Sequence, residues 1–405
     1  MAKTRIITGL DIGSSTIKTL VAQKKPREET LQVLSYNQKF SSGIRKGVVI
    51  NIEEVSGIIG SCIKKAEEES RQKINGAYVN ISGSHIFCTS SHGLVSVSRA
   101  DQKISPEDIE RVIQAAQTFS LPSNKEILEV LPKEFIVDGE KGIKEPIGMQ
   151  GVRLETEVLA LGCFSPYLKN LTKAVLNSGL QINDLILTPI ASSRPVLAPR
   201  EKELGVALLD IGASTSGLAV FEEGNLMHTA IFPLGSVNIT NDIAILLRTD
   251  IDTAERIKLE FGSCLYRGVK KKEKIKGESL KEPLVFAQKV LVDIIEARVS
   301  EIFDQVNKEL KKISRQALLP AGIVLTGGGV KLLKIIDLAK KQLKLPCRIG
   351  CPQGFSPSQD DPSLSTVCGL VLYGLDLEEG GIYPRFSSGQ GIGARLKRIF
   401  RIFIP

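Results

Sequence analysis

The sequence lacks features that are typical of single-strand nucleic-acid-binding proteins and of membrane-spanning proteins. It contains no tryptophan, only 5% aromatic residues and no basic stripe interleaved with aromatics, so we expect no nucleic-acid partner. No run of about 20 apolar residues occurs, so we predict no transmembrane helix. The first residues enter a strand almost at once, without the apolar stretch and cleavage site of a signal peptide.

Cysteine is sparse and follows no pattern. The seven cysteines are odd in number and scattered along the chain. Cys347 and Cys351 form one CxxxC pair without matching histidines, which argues against zinc and for reduced thiols. We therefore expect a cytosolic protein.

Length and composition indicate a protein of more than one domain. A chain of 405 residues exceeds one average domain, and 42% hydrophobic residues are enough for sizeable cores. The formal net charge is +8, which raises the question of an anionic partner. Positive charge is densest at residues 270–276 and in the last dozen residues. The first of these segments is most simply a solvated loop.

The chain is organised around residues 9–18, which read GLDIGSSTIK. An apolar strand leads into a turn of small residues, and a second apolar strand leaves in the opposite direction. Amides at such a tip form an anion-binding nest, an aspartate can hold Mg²⁺ through water, and a lysine adds charge for phosphate. An ordinary polar hairpin is the alternative. The predicted phosphate-binding residues are Asp11, Gly13, Ser14, Ser15, Thr16 and Lys18.

The same signature returns in the second half of the chain. Residues 209–219 read LDIGASTSGLA, and the hexapeptide DIGAST differs from DIGSST at one position. A duplicated unit of this kind predicts two similar halves. We predict that Gly212, Ala213, Ser214 and Thr215 bind phosphate, and that Asp11 and Asp210 hold the metal ion.

A third turn of small residues comes late in the chain. Gly327, Gly328 and Gly329 follow a predicted strand and precede a basic helix predicted over residues 330–343. Three such loops after strands are typical of a cleft that holds a nucleotide from two sides.

These motifs resemble the actin-like ATPase superfamily of actin, sugar kinases and heat-shock chaperones. Within it, the chain resembles the FtsA family of bacterial cell-division proteins in order and over nearly its whole length. The motifs that carry the resemblance are GLDIGSSTIK, GIRKGVVINIEEV (43–55), YVNISGSHI (78–86), GIVLTGGGVKL (322–332) and the end of the chain. The resemblance implies an α/β, actin-like (ribonuclease H-like) duplicated two-lobe fold with a nucleotide cleft. It also implies an FtsA-type inserted subdomain, and ATP and Mg²⁺ as ligands.

The predicted boundaries follow changes in pattern together with this resemblance. The first lobe core takes residues 1–83 and 163–195, around an inserted subdomain at 84–162. The second lobe core takes 196–238 and 311–380, the latter ending in an apolar closing helix, around an outer subdomain at 239–310. A linker at 381–390 and an amphipathic helix at 391–405 complete the chain.

Two further pairs of residues receive roles by resemblance alone. Glu255 and Lys258 match a segment that contacts the nucleoside in relatives, as do the three late glycines, although an exposed ion pair is the alternative. A long helix predicted over 284–310 carries Arg298 and Glu301 on its polar face. In the family the matching surface borders the groove for the C-terminal peptide of FtsZ, the tubulin-like ring protein.

The chain departs from its relatives where hydrolysis is concerned. The helix predicted over 165–179 lacks the carboxylate that positions the attacking water in chaperone-like relatives. In the second hairpin, Ala213 and Ser214 replace glycines and Gly217 replaces an aspartate. A methyl group at Ala213 is penalised if that residue must adopt a positive φ. The sequence therefore predicts nucleotide binding and leaves turnover open.

The last fifteen residues, GIGARLKRIFRIFIP, form an apolar stripe flanked by cations when placed on a helix. This pattern is typical of a helix that lies in an anionic membrane interface. Packing on the core, binding a partner and disorder are the alternatives. The predicted membrane residues are Ile392, Arg395, Leu396, Lys397, Arg398, Ile399, Phe400, Arg401 and Phe403.

Together these features predict an ATP-binding filament protein of bacterial cell division. By resemblance it polymerises head to tail, binds the inner face of the cell membrane at the septum, tethers FtsZ and recruits later division proteins. The alternatives are an actin-like scaffold of pilus assembly and a small-molecule kinase of the same superfamily. A kinase needs a carboxylate base, and no segment supplies an evident one.

Overall fold

The computed structural model describes residues 4–117, 121–266, 272–275 and 284–379. The strands are β1 Arg5–Ile12, β2 Thr16–Lys24, β3 Leu31–Phe40, β4 Ile44–Arg45, β5 Val48–Val49, β6 Gly76–Ile81, β7 Phe87–Ser96, β8 Lys125–Val137, β9 Glu140–Ile143, β10 Arg153–Phe164, β11 Gln181–Leu187, β12 Val206–Ile211, β13 Ser216–Glu222, β14 Asn225–Phe232, β15 Lys272–Ile275, β16 Leu284–Ala287, β17 Ile323–Thr326, β18 Cys347–Ile349 and β19 Phe355–Ser356. The helices are α1 Ile52–Ser70, α2 Pro106–Ala116, α3 Ser165–Asn177, α4 Thr188–Val196, α5 Pro199–Leu204, α6 Ser236–Leu247, α7 Ile251–Phe261, α8 Gln288–Lys312, α9 Ile335–Leu343 and α10 Ser365–Glu378, with 3-10 turns at Gly328–Lys331 and Pro362–Leu364.

The two halves repeat one arrangement of strands. In the first sheet β1, β2 and β3 run antiparallel and β6 lies parallel to β1. In the second sheet β12, β13 and β14 run antiparallel and β17 lies parallel to β12. The full strand orders are β11-β6-β1-β2-β3-β19 and β14-β13-β12-β17-β18. The two hairpins therefore occupy equivalent positions at the carboxyl ends of β1 and β12.

Apolar residues at helical spacing place α1 against the first sheet. Val55, Ile59 and Cys62 are fully buried, whereas the opposite side of the helix is charged. Asn51 caps its N-terminus by accepting a hydrogen bond from the amide of Glu54. The helix thus closes one side of the sheet that ends in the first hairpin.

The inserted subdomain is a separate sheet with one helix on it. Its strand order is β7-β10-β8-β9, and α2 packs on β7 and β10. The capping box predicted for α2 is present, because Ser105 and Asp108 exchange hydrogen bonds between side chain and backbone. Gly93 allows the helix to approach, since a Cβ there would lie 2.3 Å from the carbonyl oxygen of Val112. The core that results is small and apolar.

The last helix returns to the first lobe. Cys368 and Val371 of α10 pack on Ile7 and Leu20 of the first sheet, and β19 pairs with β3 at the edge of that sheet. Gly9 permits the contact, because a Cβ there would lie 2.8 Å from the carbonyl oxygen of Val367. Residues 355–378 therefore pack on the first sheet, and Thr366 of α10 also donates a hydrogen bond to Asp210 of the second lobe.

Two predicted helix limits are wrong. The helix predicted from residue 284 begins at Gln288, because Leu284–Ala287 pairs with Lys272–Ile275 as a strand. The helix predicted over residues 330–343 begins at Ile335, after Lys334 in the left-handed region at φ 66°. Each error falls where a turn or a pairing interrupts a continuous apolar pattern.

Two predictions lie outside the described residues. The linker at 381–390 and the membrane residues of 391–405 belong to this part of the chain. Within the described ranges, none of the helices combines the length and the apolar character needed to cross a membrane. All seven cysteines are described and have free thiols.

Candidate functional site: a cleft between two hairpins

One cleft of about 510 Å³ lies between the two lobes, at the carboxyl ends of β1, β6, β12 and β17. Ligands of open α/β sheets commonly bind at this end of the strands. Both hairpin tips and the late glycine turn line it. The predicted residues on its wall are Asp11, Gly13, Ser14, Ser15, Thr16, Lys18, Asp210, Gly212, Ala213, Thr215, Glu255, Lys258, Gly327, Gly328 and Gly329.

The two hairpin tips have the same hydrogen bond and the same need for glycine. The amide of Gly13 donates to the carbonyl oxygen of Thr16 at 3.1 Å, and that of Gly212 to Thr215 at 2.9 Å. A Cβ at either glycine would lie within 2.9 Å of that carbonyl oxygen. Neither glycine has a positive φ, so close approach rather than backbone freedom requires glycine here.

The unusual residues of the second hairpin have physical explanations. The φ of Ala213 is not positive, so its methyl group brings none of the anticipated strain. Gly217 lies against Pro189, where a Cβ would approach the proline ring to 3.2 Å. Ser214 is the predicted phosphate residue that the described cleft wall does not include, and its buried hydroxyl has no hydrogen-bond partner in the described protein.

Each tip is held from behind by a different element. The hydroxyl of Ser14 accepts a hydrogen bond from the amide of Gly47 at 3.1 Å. The carbonyl of Ala213 accepts one from the amide of Val237 at 2.8 Å, at the start of α6. Both tips are therefore fixed in position, as a site that binds through backbone amides requires.

The charges of the cleft centre on two carboxylates and one lysine. Asp11 accepts a hydrogen bond from Lys18 at 3.0 Å, and Asp210 accepts one from Thr366 at 3.2 Å. Burial lowers the pKa of Lys18, but the charge and hydrogen bond of Asp11 outweigh it and leave that pKa above its usual value. Burial raises the pKa of Asp210 to about 6, and the nearby charge of Asp11 acts in the same direction.

This donor set fits a hard divalent cation. Magnesium ions take oxygen ligands, keep several waters and need only one or two carboxylates together with phosphate oxygens. Asp11 and Asp210 offer such oxygens in one cleft, and Lys18 pairs with Asp11. Among the described residues, no group of three or more His, Cys, Asp or Glu side chains could bind a metal without such help.

Lys258 is buried, whereas the side chain of its partner Glu255 is 40% exposed. Lys258 is 5% exposed and its ammonium lies 2.7 Å from the Glu255 carboxylate. The same ammonium donates to the hydroxyl of Thr240 at 2.9 Å and to the carbonyl of Ser236 at 3.3 Å. The pair is therefore not fully exposed, and Lys258 joins α7 to α6 at the cleft wall.

The fold also brings to the cleft residues that received no role from the sequence. Asn80 accepts a hydrogen bond from the amide of Ile12 at 2.7 Å and donates to Thr188 at 3.1 Å, which ties the ends of β1, β6 and β11 together. These residues lie far apart in the sequence, so no local pattern indicates that they meet. Further members are Gln38, Gly47, Ser82, Ser236, Leu259, Lys331, Leu332, Leu333, Ser363 and Thr366.

Arg298 and Glu301 lie outside the cleft, on α8. The guanidinium of Arg298 donates to both oxygens of Asp242 on α6, at 2.7 and 2.9 Å, and it also pairs with Glu301. The hydrogen bonds of Asp242 raise the pKa of Arg298 further. The arginine is thus held in one orientation against α6.

Solved structures define the class of protein. The structure matches the PilM-PilN type IV pilus biogenesis complex at a TM-score of 0.67 and 17% identity, covering 91% of this chain and 98% of that chain. It matches MreB5 of Spiroplasma citri bound to ADP at 0.56 and 13%, covering 93% and 98%. The predicted actin-like duplicated fold is confirmed.

Sequence comparison then defines the family. The model for "Cell division protein FtsA" matches residues 207–369, and that for "SHS2 domain inserted in FTSA" matches residues 83–161. Cell division protein FtsA of Pseudomonas aeruginosa is 38% identical over 391 residues, which are 95% of this chain and 93% of the relative. The chain belongs to the FtsA family of cell division proteins.

Proposed function

We propose that the chain binds ATP with Mg²⁺ in the cleft and polymerises head to tail as a membrane-bound division protein. The observation that carries this proposal is the pair of matched hairpins, whose tips line one cleft with the same turn hydrogen bond. A solved actin-like neighbour is described as bound to ADP, which supports a nucleotide as the ligand.

Within the cleft the residues divide into three roles. The hairpin amides and Lys18 bind the phosphates, and Asp11 and Asp210 hold the cation through water. A bound Mg²⁺ supplies positive charge that neutralises the phosphate oxygens. Lys258, Glu255 and the three late glycines contact the nucleoside.

Closure of the lobes on a nucleotide favours the conformation that polymerises, because the ligand contacts residues from both halves. Copies then join through a heterologous interface, which gives an open filament when the rotation does not close. The tail at 391–405 attaches each copy to the anionic inner membrane, and many weak tails on one filament add avidity. The face of Arg298 and Glu301 holds the C-terminal peptide of FtsZ, and the inserted subdomain contacts later division proteins.

Nucleotide binding is tested by calorimetric titration of the full chain with ATP, with and without Mg²⁺. We expect saturable binding of one ATP per chain that weakens when the cation is chelated. A double variant, Gly13→Val with Gly212→Val, crowds both turn carbonyls and should abolish binding. Binding by this variant at the parent affinity would contradict the assignment of the cleft.

Membrane attachment is tested by co-sedimentation with anionic vesicles. The full chain should pellet with them, and a chain that ends at Ser388 should stay in the supernatant. Neutral vesicles serve as the control, because the attraction of each basic residue, about 1 kcal/mol, requires anionic lipid. Equal pelleting of both chains on anionic vesicles would count against the tail as an anchor.

A further inference from the structure

The two cleft carboxylates occupy equivalent positions in the repeat but are held in different ways. In the first hairpin the residue paired with Asp11 across the strands is Lys18, whose ammonium donates a hydrogen bond to Asp11 at 3.0 Å. In the second hairpin the residue paired with Asp210 is Gly217, which has no side chain. The position that holds the first carboxylate therefore cannot hold the second.

The packing of α4 explains why position 217 has no counterpart of the lysine. A Cβ at Gly217 would lie 3.2 Å from the ring of Pro189 on α4, which leaves little room for a longer side chain. A donor for Asp210 must therefore come from another part of the fold.

Thr366 of α10 supplies this donor. Its hydroxyl donates to Oδ2 of Asp210 at 3.2 Å, and both residues are only 7% exposed. The backbone of Gly327 packs against the other oxygen, because a Cβ there would lie 2.3 Å from Oδ1 of Asp210. The carboxylate is thus held on two sides, by the hydroxyl at one oxygen and by the late glycine turn at the other.

Ser192 of α4 is the competing donor. Burial raises the pKa of Asp210, and the hydroxyls of Ser192 and Thr366 oppose that rise. The Ser192 hydroxyl also lies 3.0 Å from the carbonyl oxygen of Thr188 and 3.5 Å from that of Pro189. Because a hydroxyl has one proton to donate, these carbonyls of its own helix compete with Asp210 for Ser192. Thr366 is therefore the donor on which the carboxylate depends more.

The donor reaches Asp210 from an element that is anchored on the first lobe. Thr366 is the second residue of α10, and Val367, which follows it, lies in one core with Ile7 of the first sheet. Asp11, by contrast, is held from within its own hairpin. The orientation of Asp210 therefore depends on a contact between the two lobes.

We propose that Thr366 positions the Asp210 carboxylate for the cation in this cleft. The proposal rests on the binding of ATP with Mg²⁺ proposed above. Thr366 is a positioning residue, since it acts through Asp210: its hydroxyl fixes the plane of the carboxylate, which then presents its oxygens to the cleft in one orientation. Hydrogen bonds of this kind orient the carboxylates that hold metal ions in proteins.

The test measures ATP affinity of the full chain by calorimetric titration, with Mg²⁺ and with a chelator, and takes the ratio of the two. Thr366→Val removes the hydroxyl at nearly constant volume, Thr366→Ser keeps it, and Ser192→Ala removes the competing donor. Thr229→Val is the matched control, because Thr229 is a buried threonine of β14 whose hydroxyl donates to the carbonyl of Leu218 at 2.8 Å. Thermal unfolding checks that each variant folds.

We expect Thr366→Val to lower the ratio by roughly tenfold at unchanged affinity in the chelator, since the loss of such a hydrogen bond typically costs about 10–100-fold in metal affinity. Thr366→Ser and Thr229→Val should keep the parent ratio, and Ser192→Ala should lower it less. A purely structural role of Thr366 would instead lower the unfolding temperature without changing the ratio.

The inference is overturned if Thr366→Val keeps the parent ratio, or if its affinity falls equally with and without Mg²⁺. It is also overturned if Thr366→Ser loses as much as the valine variant, or if Ser192→Ala loses more. If Thr366→Val unfolds, Thr366→Ala is judged by the same criteria. A parent chain that binds no ATP, or whose ATP affinity does not respond to Mg²⁺, would refute the proposed function itself.

Discussion

The ammonium nitrogen of Lys258 lies 2.9 Å from the hydroxyl oxygen of Thr240, and this contact joins α7 to α6 at the wall of the cleft. Two residues further along α6, Asp242 holds the guanidinium of Arg298 on α8. Helix α6 therefore borders the proposed nucleotide site with its first turns and the proposed peptide site with the turn that follows. Because α6 contacts residues of both sites, we expect a change at one site to affect binding at the other.

Replacement of Lys258 by methionine removes the cation and retains the apolar stem. Lys258 is nearly buried and lines the cleft, and a hydrogen bond to a charged group contributes about 1.5–3 kcal/mol. We expect ATP affinity to fall by about tenfold in a calorimetric titration, which corresponds to about 1.4 kcal/mol.

Lys334→Met is the control for this change. Lys334 forms a more exposed ion pair with Asp337 on α9 and is not part of the described cleft wall. Exposed pairs contribute little, so the ATP affinity of the control should equal that of the parent. Equal losses in both variants would indicate a general effect of charge rather than a contact at the nucleotide.

Replacement of Asp11 by asparagine tests the magnesium site. The substitution removes one of the two carboxylates proposed to hold the cation and leaves Lys18 without its anionic partner. We expect ATP affinity to lose most of its dependence on Mg²⁺, so that chelation weakens binding by the parent and barely changes binding by the variant. Asp337→Asn, on the surface of α9, should keep the parent response. A full magnesium response in Asp11→Asn would remove this residue from the metal site.

The hairpins could be predicted because their signal is local. A strand, a run of small residues and a second strand lie within ten positions, and the repeat gives independent support. The contribution of Asn80 could not be predicted, because topology rather than spacing brings it to Ile12 and Thr188. The same holds for α10, whose apolar sequence indicates burial but not which sheet covers it. The strand Leu284–Ala287 was missed because its pairing with another segment overrides a helical pattern.

Replacement of Asp108 by asparagine tests the stability of the inserted subdomain. Asp108 is buried and accepts hydrogen bonds from Ser98 and Ser105, and it pairs with Arg111. Burial opposes the charge, but these hydrogen bonds outweigh it and hold the pKa of Asp108 well below its usual value. We expect the variant to lower the free energy of opening of α2 by about 2 kcal/mol at pH 7, measured by hydrogen exchange of its amides.

The pH dependence of this effect has a defined sign. A carboxyl group with a depressed pKa stabilises the folded state above its unfolded pKa of about 3.9, and this contribution is lost as pH falls. The difference between parent and variant should therefore be largest near neutral pH and shrink below about pH 4. Asp101→Asn, a more exposed aspartate beside Arg99, is the control and should show little change. A difference that grows as pH falls would contradict the assigned role.

The last prediction concerns the proposed peptide site on α8. Arg298 must share its donors between Asp242 and any carboxylate that a peptide brings, because the bidentate pair already uses two of its nitrogens. Arg298→Ala should weaken binding of the C-terminal FtsZ peptide by about tenfold, as the loss of a charge-assisted hydrogen bond implies. Asp242→Asn should strengthen binding instead, since it removes the competing charge and leaves the guanidinium available.

Fluorescence anisotropy of a labelled peptide measures both changes, and Arg315→Ala is the matched control. Arg315 forms a similar ion pair with Glu222 elsewhere on the second lobe and donates to both of its oxygens, at 2.8 and 3.1 Å. Its loss should therefore alter stability without altering peptide affinity. Opposite effects of Arg298→Ala and Asp242→Asn are the outcome that a shared arginine requires. If both weaken the peptide equally, the ion pair acts as a structural clamp between α6 and α8, and the peptide carboxylate must bind a different cation.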